Sequence, residues 1–520
     1  MLAKTYGSAV YGVDAYLITI EVSVGQGTKF YMVGLPDSAV KESEQRVEAA
    51  IKHAGYSMPR IKTVVNLAPA DIRKEGSAYD LPIALGILAA SGQIDCPELG
   101  KYVIMGELSL DGILRPIRGA LPMAIEARKN QYKGMIIPKE NASEAAIVNN
   151  LNIIAVETLR EAIDFLEGKL TLEPHWHETR DIFFQELDNF EVDFADVQGQ
   201  ESIKRALEIS AAGSHNVIMV GPPGSGKTML ARRLPTILPP LSLQEALETT
   251  KIYSVAGKLP SNASLIAQRP FCAPHHTISD AALVGGGNIP QPGQISLAHN
   301  GILFLDELPE FKRSVLEVMR QPLEERAVTI ARAKGTVAFP ANFMLIASMN
   351  PSPSGEFYDP GSSHPDSPTA VQRYLSKISG PLLDRIDIHV EVNPVSFDEM
   401  TAGRKQERSV HIRERVIAAR KMQQERFDAI RQNGKLSEQV HSNAMMPSQL
   451  VKEVCQINQA GKTLLKTAME RLSLSARAYD RILKVSRTIA DLAASESIEI
   501  EHLAEAIQYR SLDREGWFGH

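Results

Sequence analysis

Cysteine is nearly absent from this chain of 520 residues: Cys96, Cys272 and Cys455 are the only three, and no two are close in sequence. That excludes a disulfide framework and a cysteine-rich zinc site, and it fits a reducing compartment. Neither sign of charge dominates. The 56 Lys and Arg residues face 62 Asp and Glu, a formal net charge of -6, so general adhesion to nucleic acid is excluded and DNA contact needs a local basic patch. Long apolar runs are missing as well. The longest, Leu81 to Ala90, is about half of what a bilayer span requires. The opening Met1-Leu-Ala-Lys-Thr5 lacks the apolar region and small-residue cleavage site of a secretion signal. A cytoplasmic protein without a membrane segment is expected. What is present, 44% apolar and 23% charged residues, belongs to ordinary globular domains, two to four of them at roughly 100–200 residues each.

Periodicity divides the chain. Residues 1–167 mix strand signals (Leu17–Val22, Lys62–Asn66, Tyr102–Met105, Met135–Ile137) with helix signals (Asp37–Ala54, Leu81–Ser91, Ala120–Lys129, Leu159–Glu167). Gly112 marks a hairpin turn, and the whole predicts an α+β domain. Residues 168–193 lose the pattern and read as a linker. An α/β block follows over 194–395, and the polar, Arg-rich stretch from Asp398 to Lys435 predicts one extended basic helix within a connecting segment 396–440. Residues 441–520 return to helical spacing and predict a small bundle.

The strongest chemistry lies in the second block. The apolar strand Val217–Val220 runs into Gly221-Pro222-Pro223-Gly224-Ser225-Gly226-Lys227-Thr228 and then an apolar helix. This is the G-x-x-x-x-G-K-[ST] pattern in its required strand–loop–helix setting. Its glycines turn successive N–H groups toward a β-phosphate, and the helix start adds partial positive charge. Lys227 is placed for the β- and γ-phosphates, and Thr228 for Mg²⁺, so ATP and Mg²⁺ are the expected cofactors. A second apolar strand, Gly301–Leu305, ends in Asp306 and Glu307. Asp306 suits the metal and Glu307 the attacking water. Asn350 closes a third apolar strand that can lie beside the Asp306 strand and orient that water. Before Pro351 it can equally be a turn residue. Arg385 can cancel charge on a neighbour's γ-phosphate or simply pair with Asp384. Arg477, at a helix start, can reach nucleotide from the C-terminal bundle or sit on the surface.

These residues, with Phe194–Gln200, Ala273-Pro-His-His-Thr277, Gly285-Gly-Gly287, Pro292–Ala298, Leu305–Phe311 and Ser379–Asp387, resemble the ComM/YifB family over nearly the whole chain. These are magnesium-chelatase-like AAA+ ATPases. The resemblance implies a P-loop AAA+ core with insertions in helix 2 and before sensor 1, and a helical lid at 441–520. It makes Asn350 sensor 1, Arg385 the arginine finger and Arg477 the sensor-2 arginine. It also implies a hexameric ring that drives branch migration of DNA during natural transformation. The second insertion is read in Ala327–Phe339 as a β-hairpin turning at Lys334-Gly335, whose Arg332 and Lys334 are candidate DNA contacts or simply an exposed basic turn.

Residues 1–167 resemble the proteolytic domain of Lon, with Gly106–Gly112 and Pro116-Ile117 as the nearest match. Two departures count against proteolysis. Ser77 lies in Gly76-Ser-Ala-Tyr-Asp-Leu-Pro82, and Leu121 occupies the position aligned with the catalytic lysine. A serine without its base is inert, so a binding or assembly module is expected. Where relatives carry paired cysteines, this chain has Ser352, Ser354, His364 and Asp366, a poor zinc set, and no structural zinc is expected. The Arg-rich helix (Arg404 to Lys421) can face DNA or present a solvated face. His275 and His276 suit substrate contact or loop packing better than metal. Three competing readings remain: the ATPase subunit of a metal-insertion machine acting on a protein partner, an ATP-dependent protease, and a nucleotide-gated scaffold.

Overall fold

The structure is a computed structural model. It describes residues 1–176, 183, 187, 190–260, 265–287, 290–332, 335–355, 367–395, 405–434, 440–472 and 474–510. Among them no helix is long and apolar enough to cross a membrane.

Leu2–Tyr11 (β1) and Asp14–Gly25 (β2) form an antiparallel ladder from Leu2↔Ser23 to Tyr11↔Asp14, and Ile18, Ile20, Val22 and Val24 face the core. They are joined by Phe30–Val33 (β3), Lys62–Ala68 (β4), Tyr102–Ile104 (β5), Gly134–Pro138 (β6) and Asn152–Val156 (β7) in the order β3–β4–β2–β1–β5–β6–β7. The sheet is mixed: β2 runs antiparallel to β1 and β4, and the other neighbours are parallel. Asp80–Ala90, apolar on every side, is buried almost throughout against β1 and β2. The helix expected over 37–54 is split at Glu42 into Ser38–Lys41 and Ser43–His53, with Asp37 accepting from the Val40 N–H at 2.8 Å as its cap. Phe183, in the segment read as a linker, is buried with this core.

The second sheet consists of Val217–Val220 (β8), Phe271–Cys272 (β9), Ile302–Leu305 (β10), Met344–Met349 (β11) and Ile388–Glu391 (β12), all parallel, in the order β9–β10–β11–β8–β12. The apolar β8, β10 and β11 are buried at every position, as strands covered on both faces must be. This order places β11 between β8 and β10, so three loops that follow β8, β10 and β11 meet at one end.

The basic helix starts at Ser409, not near 398, and ends at Gln432; residues 405–408 are not helical, and 396–404 lie outside the described residues. Its start is set from a distance: the Ser409 N–H donates to Asp193 Oδ1 at 2.9 Å, while Ser409 Oγ accepts from the Phe194 N–H at 2.8 Å. Of its arginines, the exposed Arg415 fits a solvated face with interleaved glutamates, while Arg413 and Arg420 are half-buried and turn to other segments. Arg413 donates to Leu238 O, Arg415 pairs with Glu208 and Glu407, and Arg420 reaches Ala211 O and Ser214.

Helices Ser448–Val454, Gln459–Arg471, Ala476–Leu492 and Ile500–Gln508 form the C-terminal bundle. A buried polar network fastens it to the second sheet. Asp387, 1% exposed, accepts from Arg481 at 2.7 Å and from the Asn216 N–H at 3.2 Å, and its Oδ2 lies 3.2 Å from His215 Nδ1. Burial opposes charge on Asp387, but Arg481, His215 and Lys484 outweigh it and hold the carboxyl well below the usual range. A depressed folded-state value means that this stability is complete above the unfolded carboxylate pKa near 3.9 and is lost as pH falls through the lower folded value. Asp387→Asn, which removes the buried carboxylate that pairs the half-buried Arg481, is expected to cost about 2–3 kcal/mol in urea denaturation at neutral pH. A loss below about 0.5 kcal/mol would contradict this role.

Candidate nucleotide site

The loop after β8 is shaped for close backbone approach. Gly224 and Gly226 have φ of 76° and 88°, and a Cβ on Gly221 would lie 2.2 Å from Val392 O. Lys227 opens the helix Lys227–Arg233 and is 8% exposed; its ammonium donates to Gly221 O at 2.7 Å and Pro222 O at 2.9 Å. Burial pulls that ammonium below its ordinary value, with Asp306 and Glu307 opposing. Thr228 Oγ1 donates to Asp306 Oδ2 at 2.8 Å. Two oxygens of the kind Mg²⁺ prefers are therefore already together, so these residues fit the ion. Asn350 Oδ1 is 3.4 Å from Lys227 Nζ. The structure thus brings Gly221–Thr228, Asp306 and Asn350 into one cluster at the carboxyl ends of β8, β10 and β11.

Glu307 follows Asp306 with φ 54°, a left-handed conformation rare outside glycine. Its N–H donates to Asp306 Oδ1 at 3.1 Å, and its carboxylate lies 3.5 Å from His276 Nδ1. A cavity of about 360 Å³ opens beside Glu307 and Asn350, with Arg373, Tyr374 and Lys377 on its wall.

Arg385 and Arg477 are elsewhere. β12 pairs with β8 from Val217↔Ile388 to Val220↔Glu391. Arg385 precedes Ile388, so it sits at the amino end of the sheet, and its carbonyl accepts from Asn216 at 3.0 Å. Four residues of strand at roughly 3.3 Å each separate it from its own P-loop. Its guanidinium pairs with Glu324 and donates to Pro381 O. Arg477 is at the same end, 3.2 Å from Asp384. Arg477 thus pairs with the residue that precedes Arg385, and among the described residues neither arginine has a polar contact with the chain's own phosphate loop.

The hairpin Ala327–Arg332/Gly335–Pro340 has the register Arg332↔Gly335. Arg332 is exposed, and Lys334 lies outside the described residues. Tyr11 of the N-terminal sheet donates to Thr336 O of this hairpin at 3.1 Å. Ser77 Oγ donates to Glu107, and Leu121 is fully buried; among the described residues no Lys, Arg or His is hydrogen-bonded to Ser77. Ser352 and Ser354 bond to each other at 3.0 Å; His364 and Asp366 lie outside the described residues.

Two site residues, Gln200 and Ser348, were not assigned from the sequence, and neither was the contact of His276 with Glu307. Gln200, at φ 58°, donates to Ser225 O at 2.7 Å and closes the P-loop from outside. His276 touches Glu307, although its motif Ala273–Thr277 had been visible. Ser348 donates to Asp306 Oδ1. Strand alternation carries the available signal, because Ser348 stands two positions before Asn350 and shares its side of β11. Ser348→Ala removes one charge-assisted hydrogen bond to Asp306 and is expected to lower ATP turnover about 10-fold at limiting Mg²⁺. Saturating Mg²⁺ is expected to restore most of it; a deficit independent of Mg²⁺ would contradict the assignment.

Comparison with known proteins agrees with this geometry. The profile of the family described as "Magnesium chelatase, subunit ChlI" matches residues 193–400. The profiles "Subunit ChlI of Mg-chelatase" and "Magnesium chelatase, subunit ChlI C-terminal" match 20–141 and 406–510. Competence protein ComM of Haemophilus influenzae is 44% identical over 99% of this chain and 98% of its own length. The protein YifB of Escherichia coli is 42% identical over 99% of this chain and 98% of its own. Lon protease 2 of Bacillus subtilis matches only 30% of this chain, at 33% identity over 177 residues that make up 32% of that protein. With full-length identity above 40% to two such proteins and a P-loop, acidic strand end and Asn350 in one cluster, the chain belongs to the ComM/YifB family of magnesium-chelatase-like AAA+ proteins.

Proposed function

We propose that this chain hydrolyses ATP as one copy in a closed ring, six by resemblance, and that the ring drives branch migration of DNA in transformation or recombination. The observation that carries the ATPase reading is the convergence of Lys227, Thr228, Asp306, Ser348 and Asn350 at the ends of three adjacent strands. Thr228 and Asp306 would hold Mg²⁺, which supplies charge to the phosphate oxygens when bound. Lys227 exchanges its loop carbonyls for β- and γ-phosphate oxygens. Asn350 orients the water, and Glu307 accepts its proton.

The placement of Arg385 and Arg477 supports the ring. Both stand at the amino end of the sheet, so the nucleotide they serve belongs to an adjoining copy, and a head-to-tail interface of this kind makes a ring when its rotation closes. The DNA reading is supported by the relatedness to a competence protein and by exposed Arg332 on the hairpin. The domain 1–167 acts in this account as a Lon-like binding or assembly module without peptidase activity. The test is steady-state ATP turnover without DNA, with single-stranded DNA and with a four-way junction. Stimulation by the junction, reduced in Arg332→Ala, is the expected outcome. Turnover indifferent to every DNA would sink the DNA reading and point to a protein partner.

A further inference from the structure

A second cavity, of about 790 Å³, lies at the opposite end of the ATPase sheet from the P-loop. It is enclosed by the amino ends of β10 and β11, the start of helix Leu243–Ala256, and the helix Ser409–Gln432. Its charged lining is unbalanced. Arg269 is matched by Glu245 at 3.4 Å and Arg431 by Asp428 at 2.7 Å. Lys421 and Glu248 stand at the rim, 77% and 47% exposed. Arg326 and Arg420 remain. Arg326 donates to Phe343 O at 2.9 Å. Arg420 donates to Ala211 O and Ser214 Oγ, both at 2.8 Å, and to His441 O at 3.3 Å, while its Nε is buried without a partner. Among the described residues neither guanidinium has a carboxylate partner.

A third donor faces the same space. His299 is 6% exposed and lines the cavity. Its Nδ1 accepts from the Asn342 N–H at 3.0 Å, so the neutral ring carries its hydrogen on Nε2. That Nε2 is buried without a hydrogen-bond partner, and the nearest carboxylate, Glu248, is 3.7 Å away.

Two half-buried guanidiniums held only by carbonyls and a hydroxyl, with Asp387 and Glu245 acting on them through space and not as ion pairs, keep donor capacity facing the cavity. Burial, with the charge of Arg269 adding to it and Glu245 opposing, pulls Arg420 down to about 9. Guanidinium forks match the oxygens of phosphate, and the space is within the roughly 300–1,000 Å³ of small-molecule sites. We infer that this cavity is a second anion site, separate from the ATP site, which takes a phosphate-bearing small molecule on Arg326, Arg420 and His299.

The test uses the full chain with the P-loop disabled by Lys227→Ala, titrated calorimetrically with inorganic pyrophosphate and, separately, with AMP. Saturable binding of either is expected, weakened at least about 10-fold by adding Arg326→Gln and lost on adding Arg420→Gln as well. Binding of pyrophosphate alone assigns the site to inorganic polyphosphate; binding of AMP assigns it to nucleoside phosphates. Arg326→Gln with Lys227 intact must still bind ATP, which shows that the fold survives, and this variant carries the test if Arg420→Gln does not fold. Absence of binding by both probes, or binding that survives both substitutions, overturns the proposal.

Discussion

Glu307→Gln is expected to bind ATP as tightly as the wild type and to hydrolyse it about 100- to 1,000-fold more slowly. The substitution keeps the size of the side chain, the left-handed backbone at φ 54° and the anchoring of the Glu307 N–H on Asp306. Only the proton acceptor is lost. Asp306, Thr228 and Lys227, which in the proposed function bear on the metal and phosphates, are untouched, so the change falls on turnover and not on affinity. Lys227→Ala is the opposite case, because it removes the buried ammonium and with it nucleotide binding. Binding of a fluorescent ATP analogue together with single-turnover hydrolysis separates the two. A Glu307→Gln protein with near-normal turnover would place the base elsewhere.

Arg385→Ala is expected to lower ATP turnover about 1,000-fold or more without weakening ATP binding to isolated chains. Such an arginine acts by neutralising transition-state charge, and here it lies at the wrong end of its own sheet to do so in the same chain. Mixing supplies the sharper result. Equal amounts of Arg385→Ala and Lys227→Ala protein, each inactive alone, form interfaces in which one copy contributes Lys227 and its neighbour Arg385. With random assembly in a ring, roughly a quarter of interfaces are complete, so roughly a quarter of wild-type turnover returns. No recovery in co-assembled rings would mean that Arg385 acts within its own chain or supports structure through Glu324.

What could be read from the chain and what could not divides along a physical line. Gly221–Thr228, Asp306 and Asn350 were legible because each adjoins an apolar strand whose end is visible in a few residues. Most helices of the N-terminal domain were legible for the same reason. The strands Leu2–Tyr11, Phe30–Val33 and Asn152–Val156 were not assigned, because half-buried strands with mixed polarity are recognised by their partners. The start of the basic helix depends on Asp193, more than 200 residues away in sequence. The inward use of Arg413 and Arg420 and the pairing of Arg415 with Glu208 depend on carbonyls and acids of distant segments, as do the contacts of Ser348 and His276 with the acidic pair. Those arrangements exist only after the sheet order β9–β10–β11–β8–β12 is set.

The most direct test of the central claim is strand exchange in a mobile four-way junction, followed by gel with purified protein, ATP and Mg²⁺. The account predicts conversion of the junction to duplex products by the wild type, and none with Glu307→Gln or with a non-hydrolysable nucleotide. A wild-type protein that hydrolyses ATP and binds the junction yet leaves it unmoved would contradict the account.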